Sequence, residues 1–178
     1  MESTSRARAE VRVTGLVQGV GFRPFCHRLA ARLGLKGFVR NMGDAGVQIV
    51  VEGGKGTIEK FTSLLKSEQP PMAGVEGVLV KWLPPRGDFE RFNVVESEKA
   101  GVGLPSIVPP DMATCGDCLR EMMDPKDRRH GYPFTTCVNC GPRFTIIESL
   151  PYDRPRMSMV DFPLCADCSA EYGNPADR

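Results

Sequence analysis

Val11-Arg-Val-Thr-Gly-Leu-Val-Gln-Gly-Val-Gly-Phe-Arg-Pro-Phe25 joins two different periodicities across a run of glycines. Before the glycines, Val11 and Val13 alternate with Arg12 and Thr14, the two-residue period of a strand with one buried face, ending at Gly15. After them, Phe25, Leu29 and Leu33 recur every four residues and share one face of a helix. Pro24 suits the first helical position, where its missing N–H costs nothing, and Gly34 can end the helix. The stretch predicts strand, glycine-rich loop, helix.

Downstream, Lys36-Gly-Phe-Val-Arg-Asn41 and Val47-Gln-Ile-Val-Val-Glu52 flank a turn-forming Met42–Gly46 and predict a hairpin. Gly53-Gly-Lys-Gly-Thr57 interrupts the second strand, Thr57 can cap a helix, and Ile58, Phe61, Leu64 and Leu65 form that helix's apolar face. Val75–Trp82 and Arg91–Glu96 read as strands. The order strand-helix-strand-strand-helix-strand, with one extra strand, predicts an α+β architecture over residues 10–98. It is a split βαβ, ferredoxin-like sandwich: an antiparallel sheet with two helices on one face.

Composition narrows the function classes. The chain has 178 residues, with Lys+Arg 23 against Asp+Glu 22, a formal net charge of +1. That lacks the cationic excess that phosphate neutralisation demands of a nucleic-acid binder. No apolar run approaches the ~18 residues a membrane helix needs. The opening residues have no apolar signal core, so the expected compartment is the reducing cytoplasm, where disulfides are disfavoured.

The loop Val17-Gln18-Gly19-Val20-Gly21-Phe22-Arg23 carries the first candidate chemistry. Glycines at 15, 19 and 21 permit positive φ, so successive backbone N–H groups can converge on an anion while the helix N-terminus adds partial positive charge. Arg23 brings a planar, permanently charged guanidinium that grips two phosphoryl oxygens at once. Together they form a phosphate cradle. It is not a Walker loop, since no Gly-Lys-Ser/Thr follows. Cys26 and His27 lie just beyond. Cys26 reads as a small packed residue, although a helix N-terminus would lower its thiol pKa and leave room for a minor redox role, and His27 reads as a partly exposed helical residue.

Of seven cysteines, six form three Cys-x-x-Cys pairs: Cys115/Cys118, Cys137/Cys140 and Cys165/Cys168. Residues 99–112, rich in Gly and Pro, read as a linker into this half. Cys115, Cys118, Cys137 and Cys140 have the spacing of a four-cysteine structural zinc site over residues 113–150. His130 is an alternative ligand that four cysteines make unnecessary. From Ala113 to Arg178 there are 8 Lys+Arg and 10 Asp+Glu, which argues for a structural or protein-contact role over nucleic-acid readout.

Cys115–Arg128 aligns without gaps to Cys165–Arg178 at an offset of 50, preserving both cysteines, Asp117/Asp167, Glu121/Glu171, Pro125/Pro175, Asp127/Asp177 and Arg128/Arg178. Residues 151–178 thus open a second copy whose other cysteine pair is expected beyond Arg178, making Cys165 and Cys168 an incomplete second site and the chain a fragment of a longer polypeptide. An interleaved arrangement, with Cys137/Cys140 sharing zinc with Cys165/Cys168, remains open beside the local one.

Val17-Gln-Gly-Val-Gly-Phe-Arg23, Lys36-Gly-Phe-Val-Arg-Asn41 and the following Gly46-Val-Gln48 closely resemble the acylphosphatase family. That resemblance implies the ferredoxin-like fold, phosphoryl binding by Arg23 and water orientation by Asn41. Without it, Asn41 would read as a turn residue ending a strand. With Val108-Pro-Pro-Asp-Met-Ala-Thr-Cys115, Tyr132-Pro-Phe-Thr-Thr-Cys137-Val-Asn-Cys-Gly-Pro-Arg143-Phe-Thr145 and Pro151-Tyr-Asp-Arg154, nearly the whole chain resembles the hydrogenase maturation carbamoyltransferases. The resemblance implies carbamoyl phosphate as substrate, ATP for adenylation of the carbamate, and a partner maturation protein whose C-terminal cysteine receives the carbamoyl group that becomes a cyanide ligand of the nickel-iron centre. No ATP site is legible here, so only acyl phosphate hydrolysis and zinc binding are expected of this chain. The alternatives are a non-catalytic zinc adaptor and a free-standing acylphosphatase.

Overall fold

Alternation in the first strand persists further than Val11–Gly15: β1 spans Arg6–Leu16. It is followed by α1 (Phe22–Arg32), β2 (Lys36–Asn41), β3 (Val47–Gly54), α2 (Lys55–Ser67), β4 (Gly74–Leu83) and β5 (Phe92–Val94), then α3 (Gly116–Met123) and α4 (Ala166–Gly173). The computed structural model describes residues 5–43, 45–96, 113–137, 139–141, 144–149 and 154–174. The expected linker at 99–112 lies outside the described residues, as do the positions of the repeat beyond Asn174.

The strands form one sheet in the order β4-β1-β3-β2-β5, antiparallel except for the β2/β5 pair. Register explains the core. Ala9, Val11 and Val13 stand opposite Val51, Ile49 and Val47, and Ile49 and Val51 stand opposite Val39 and Gly37. This row of small and β-branched residues is buried beneath Phe22, Phe25, Cys26, Leu29 and Ala30 of α1 and Ile58, Phe61 and Leu65 of α2. The two expected helical faces are present, with Leu33 and Leu64 packed at the margin.

The opposite face of the sheet carries a polar ladder. Arg40 Nε donates to Gln48 Oε1 at 2.7 Å, and Gln48 Nε2 donates to Glu10 Oε1 at 2.6 Å. At the other end Arg8 bridges Glu52 and Asp88, each at 3.0 Å, while Glu52 also accepts the N–H groups of Arg86 and Gly87. Glu52 thereby fastens the segment leading to β5, which supplies the extra edge strand.

Helix starts differ from expectation. α1 begins at Phe22, behind a left-handed Gly21 N-cap, so Pro24 is its third residue; its missing N–H still falls in the first turn, where no intrahelical partner exists. α2 begins at Lys55 behind Gly54, so Thr57 lies inside the first turn and does not cap. The end of α1 is closed by Gly34 N–H to Ala31 O and Leu35 N–H to Ala30 O, the paired bonds of a Schellman motif.

In the cysteine half the repeat is visible in the backbone. α3 and α4 have equal length, are offset by 50 residues, and each starts from an extended cysteine, Cys115 and Cys165. Leu119 N–H donates to Cys115 O and Ser169 N–H to Cys165 O, both at 2.9 Å.

Candidate functional site

The cradle starts where β1 loses its partner. Pairing with β3 ends at Val13, and a bulge at Thr14/Gly15 shifts the β1/β4 register before that pairing ends at Leu16. Gly19 (φ 69°) and Gly21 (φ 72°) then adopt left-handed backbone, a conformation that disfavours any residue with a Cβ. The side chains of Val17, Val20 and Phe22 point inward and are buried, so these residues pin the loop to the core and offer an anion only their backbone. Val17 N–H already donates to Gly15 O at 2.9 Å, which engages one amide expected in the cradle. Gln18 has a further role through its side chain: the amide donates to Gly43 O at 2.5 Å and lies 3.4 Å from Gly46 O. It ties the cradle to the β2–β3 turn, a role that no local motif announces.

That turn carries Asn41. Asn41 pairs with Val47, and Val47 pairs with Val13, so the three form one row across β2, β3 and β1. Asn41 shares the helix-covered face with Val39 and is only 3 % exposed. Its side-chain oxygen is buried and has no hydrogen-bond partner among the described residues. An unsatisfied buried acceptor costs about 1–3 kcal/mol, an arrangement that folding alone does not favour. The row therefore sets an unfilled acceptor on the same sheet face as Val13, with β3 between them, near the end of β1 from which the glycine loop departs. Arg23, half-buried in the first turn of α1, stands at the helix N-terminus that closes this loop.

Neither neighbour of the cradle is poised as a nucleophile. Cys26 is fully buried, and burial pushes its thiol well above the ordinary value despite its place near a helix start, which removes the redox role. His27 is partly buried with Phe92 6.3 Å away ring to ring, and burial, then the neighbouring Arg28, lowers its imidazole below the ordinary 6.5.

In the second half, the Sγ atoms of Cys115, Cys118, Cys137 and Cys140 all lie within 4.8 Å of one another. Cys115–Cys137 is 3.6 Å, and Cys118–Cys140 and Cys137–Cys140 are each 3.9 Å. A tetrahedral zinc with bonds of ~2.3 Å has sulfur–sulfur edges of roughly 3.8 Å, so the donor set and its spacing fit that ion. The second knuckle directs N–H groups at sulfur: Cys137 N to Cys140 Sγ and Asn139 N to Cys137 Sγ, both 3.4 Å. The Cys140 thiol is held at about 3, foremost by the Cys137 thiol donating to it and then by backbone N–H groups and Thr136, while the Cys137 thiol is pushed up in turn. Thiolate, the form that this arrangement favours at Cys140, is the form that ligates a metal.

The sulfurs gathered are those of the local set. Cys165 is exposed and stands outside the cluster, and Cys168 instead accepts from Arg128 at 3.3 Å. Arg128 and Arg129 both reach Glu171 of α4, which joins the first cysteine module to the start of the second. Among the described residues His130 is not part of the cluster.

Comparison with known proteins follows the same division. Residues 9–94 match the acylphosphatase family and residues 114–147 match the HypF finger. The chain is 47% identical over 149 residues to a probable carbamoyltransferase HypF of Methanocaldococcus jannaschii, covering 84% of this chain and 19% of that protein. It is 47% identical over 168 residues to a carbamoyltransferase HypF of Rhodobacter capsulatus, covering 94% and 22%. An acylphosphatase of Archaeoglobus fulgidus is 51% identical over 87 residues, covering 49% of this chain and 92% of that one. A crystal structure of full-length HypF in the phosphate- and nucleotide-bound form superposes with a TM-score of 0.87 at 43% identity, covering 98% of this chain and 23% of the other. The chain thus spans about one fifth of the length of the carbamoyltransferases it matches.

Proposed function

The chain belongs to the acylphosphatase family across residues 9–94 and continues into a HypF finger, and from that premise we propose that its cradle hydrolyses acyl phosphates, with carbamoyl phosphate as the substrate. The observation that carries this reading is the buried side-chain oxygen of Asn41, unpartnered among the described residues and set on the helix-covered face in one row with Val47 and Val13. A water fills such an acceptor by donating one hydrogen to it, and is thereby aimed.

Arg23 takes two phosphoryl oxygens, and amides of the Gly19–Phe22 backbone take the remaining charge at the N-terminus of α1. Water held by Asn41 attacks phosphorus in line and passes its proton to a phosphoryl oxygen of the substrate. The bond from phosphorus to the bridging oxygen breaks, and its electron pair leaves on carbamate, which keeps that oxygen. Carbamate is a stable anion, so positioning and charge stabilisation replace a strong base. Neither Cys26 nor His27 is required.

Cys115, Cys118, Cys137 and Cys140 would hold zinc, which would cross-link the finger structurally and take no part in the hydrolysis. The product carbamate fits a role in hydrogenase maturation, in which ATP-dependent activation and transfer to a partner's C-terminal cysteine follow; those steps are assigned to no residue of this chain. A second reading, a protein-contact adaptor, is favoured by exposed Phe134, Phe144, Phe162 and Tyr172 in the cysteine half, but leaves the Asn41 oxygen unexplained.

Phosphate release from carbamoyl phosphate by the wild-type chain and by Arg23→Ala tests the proposal. Loss of about a hundredfold or more with an unchanged far-ultraviolet spectrum is expected, the scale of removing one transition-state donor. Equal rates would assign the cradle to anion or partner binding alone.

A further inference from the structure

The zinc knuckle touches the phosphate cradle. Gly141 follows Cys140 directly and has φ 70°; a Cβ there would stand 2.3 Å from the carbonyl oxygen of Gly19, 3.5 Å from its carbonyl carbon and 3.9 Å from Cα of Val20. The backbone of one half therefore lies flush against a cradle peptide of the other, at a distance only glycine allows. Gly141 is itself fixed by the cysteine ligands: its N–H donates to Cys137 O at 2.9 Å, and its carbonyl accepts from Thr136 Oγ1, whose oxygen also lies 3.8 Å from Cys140 Sγ.

The peptide being touched matters to an anion site. In a trans peptide the N–H and C=O point in opposite directions, so holding Gly19 O toward the finger holds Val20 N–H away from it. Gly19, which flanks that peptide, lowers the cost of rotating it, and rotation would exchange a donor for an acceptor at the cradle. The buried Val20 side chain restrains the loop from below. Restraint from above comes from the finger.

We propose that the Cys137–Gly141 knuckle is a positioning element of the phosphate site: with zinc bound, Gly141 packs on Gly19 and holds the Gly19–Val20 peptide in its anion-binding orientation. The proposal rests on the reading of the cradle as the phosphate site. Gly141 is a positioning residue, since it acts through Gly19, and phosphate capture is coupled to metal occupancy of the finger.

Calorimetric titration of inorganic phosphate into the zinc-loaded chain tests this, with zinc content measured alongside. Gly141→Ala keeps all four cysteines and one zinc, yet is expected to weaken phosphate binding at least tenfold. Gly131→Ala is the matched control: Gly131 also has φ 71° in the cysteine half, but a Cβ there meets nothing within 4 Å, so it should bind phosphate as wild type does. Chelating zinc from the wild type should reproduce the Gly141→Ala loss, and added zinc should reverse it. Unchanged affinity in Gly141→Ala or after chelation would overturn the coupling, as would an equal loss in Gly131→Ala. Arg23→Ala separates the two readings: if it binds phosphate like wild type, or if no form binds, the cradle reading itself falls and the coupling with it.

Discussion

Asn41 shows most clearly how a single residue departs from what folding prefers. On the sheet's buried face it occupies a position whose neighbours in register, Val39 and Val47, are apolar, and its side-chain oxygen goes unmatched. Its replacement by alanine removes an unsatisfied acceptor, so thermal denaturation should give a midpoint close to that of the wild type, whereas kcat on carbamoyl phosphate should fall about a hundredfold with a smaller change in KM. A melting temperature that collapses together with activity would make Asn41 a structural residue. The sequence alone could name Asn41 only through family resemblance, because an asparagine closing a strand before a turn is commonplace. Register supplied the physical reason: the row Val13, Val47, Asn41 aligns it with the end of β1. For Cys26, composition left a redox role open, and burial closed it.

At the scale of elements, most of the sandwich was legible because its signals are local and periodic. Alternation marked β1, two short runs around a turn marked β2 and β3, and helical spacing of apolar residues marked α1 and α2. Starts of helices were less legible: Pro24 and Thr57 both carry start signals, but Gly21 and Gly54, each three residues earlier, take the cap positions. Contacts such as Gln18 with the β2–β3 turn, Arg128 and Arg129 with Glu171, or Gly141 with Gly19 leave no periodic trace, since each joins residues far apart in the chain. The energetics rest on the helix faces. Phe61, wholly buried between α2 and the sheet, should cost about 3–5 kcal/mol when replaced by alanine, measured by denaturant unfolding. A cost under about 1 kcal/mol would mean that α2 does not seal this core.

For the whole molecule, the two halves match two families and meet at the cradle. The cysteine half contributes few buried apolar residues among those described, chiefly Cys118 and Cys140, so the Arg128–Glu171 and Arg129–Glu171 pairs, and a metal on the four gathered sulfurs, would do there what a core does in a larger unit. Near-zero net charge suits a small anionic substrate captured by local donors rather than by a long-range field. The central claim is that this chain directs water onto the phosphorus of an acyl phosphate, and hydrolysis of carbamoyl phosphate in oxygen-18 water reads that step directly. Phosphate released above the uncatalysed background should carry one solvent-derived oxygen, with the excess abolished in Arg23→Ala. Unlabelled phosphate, or release no faster than in buffer alone, would contradict the account.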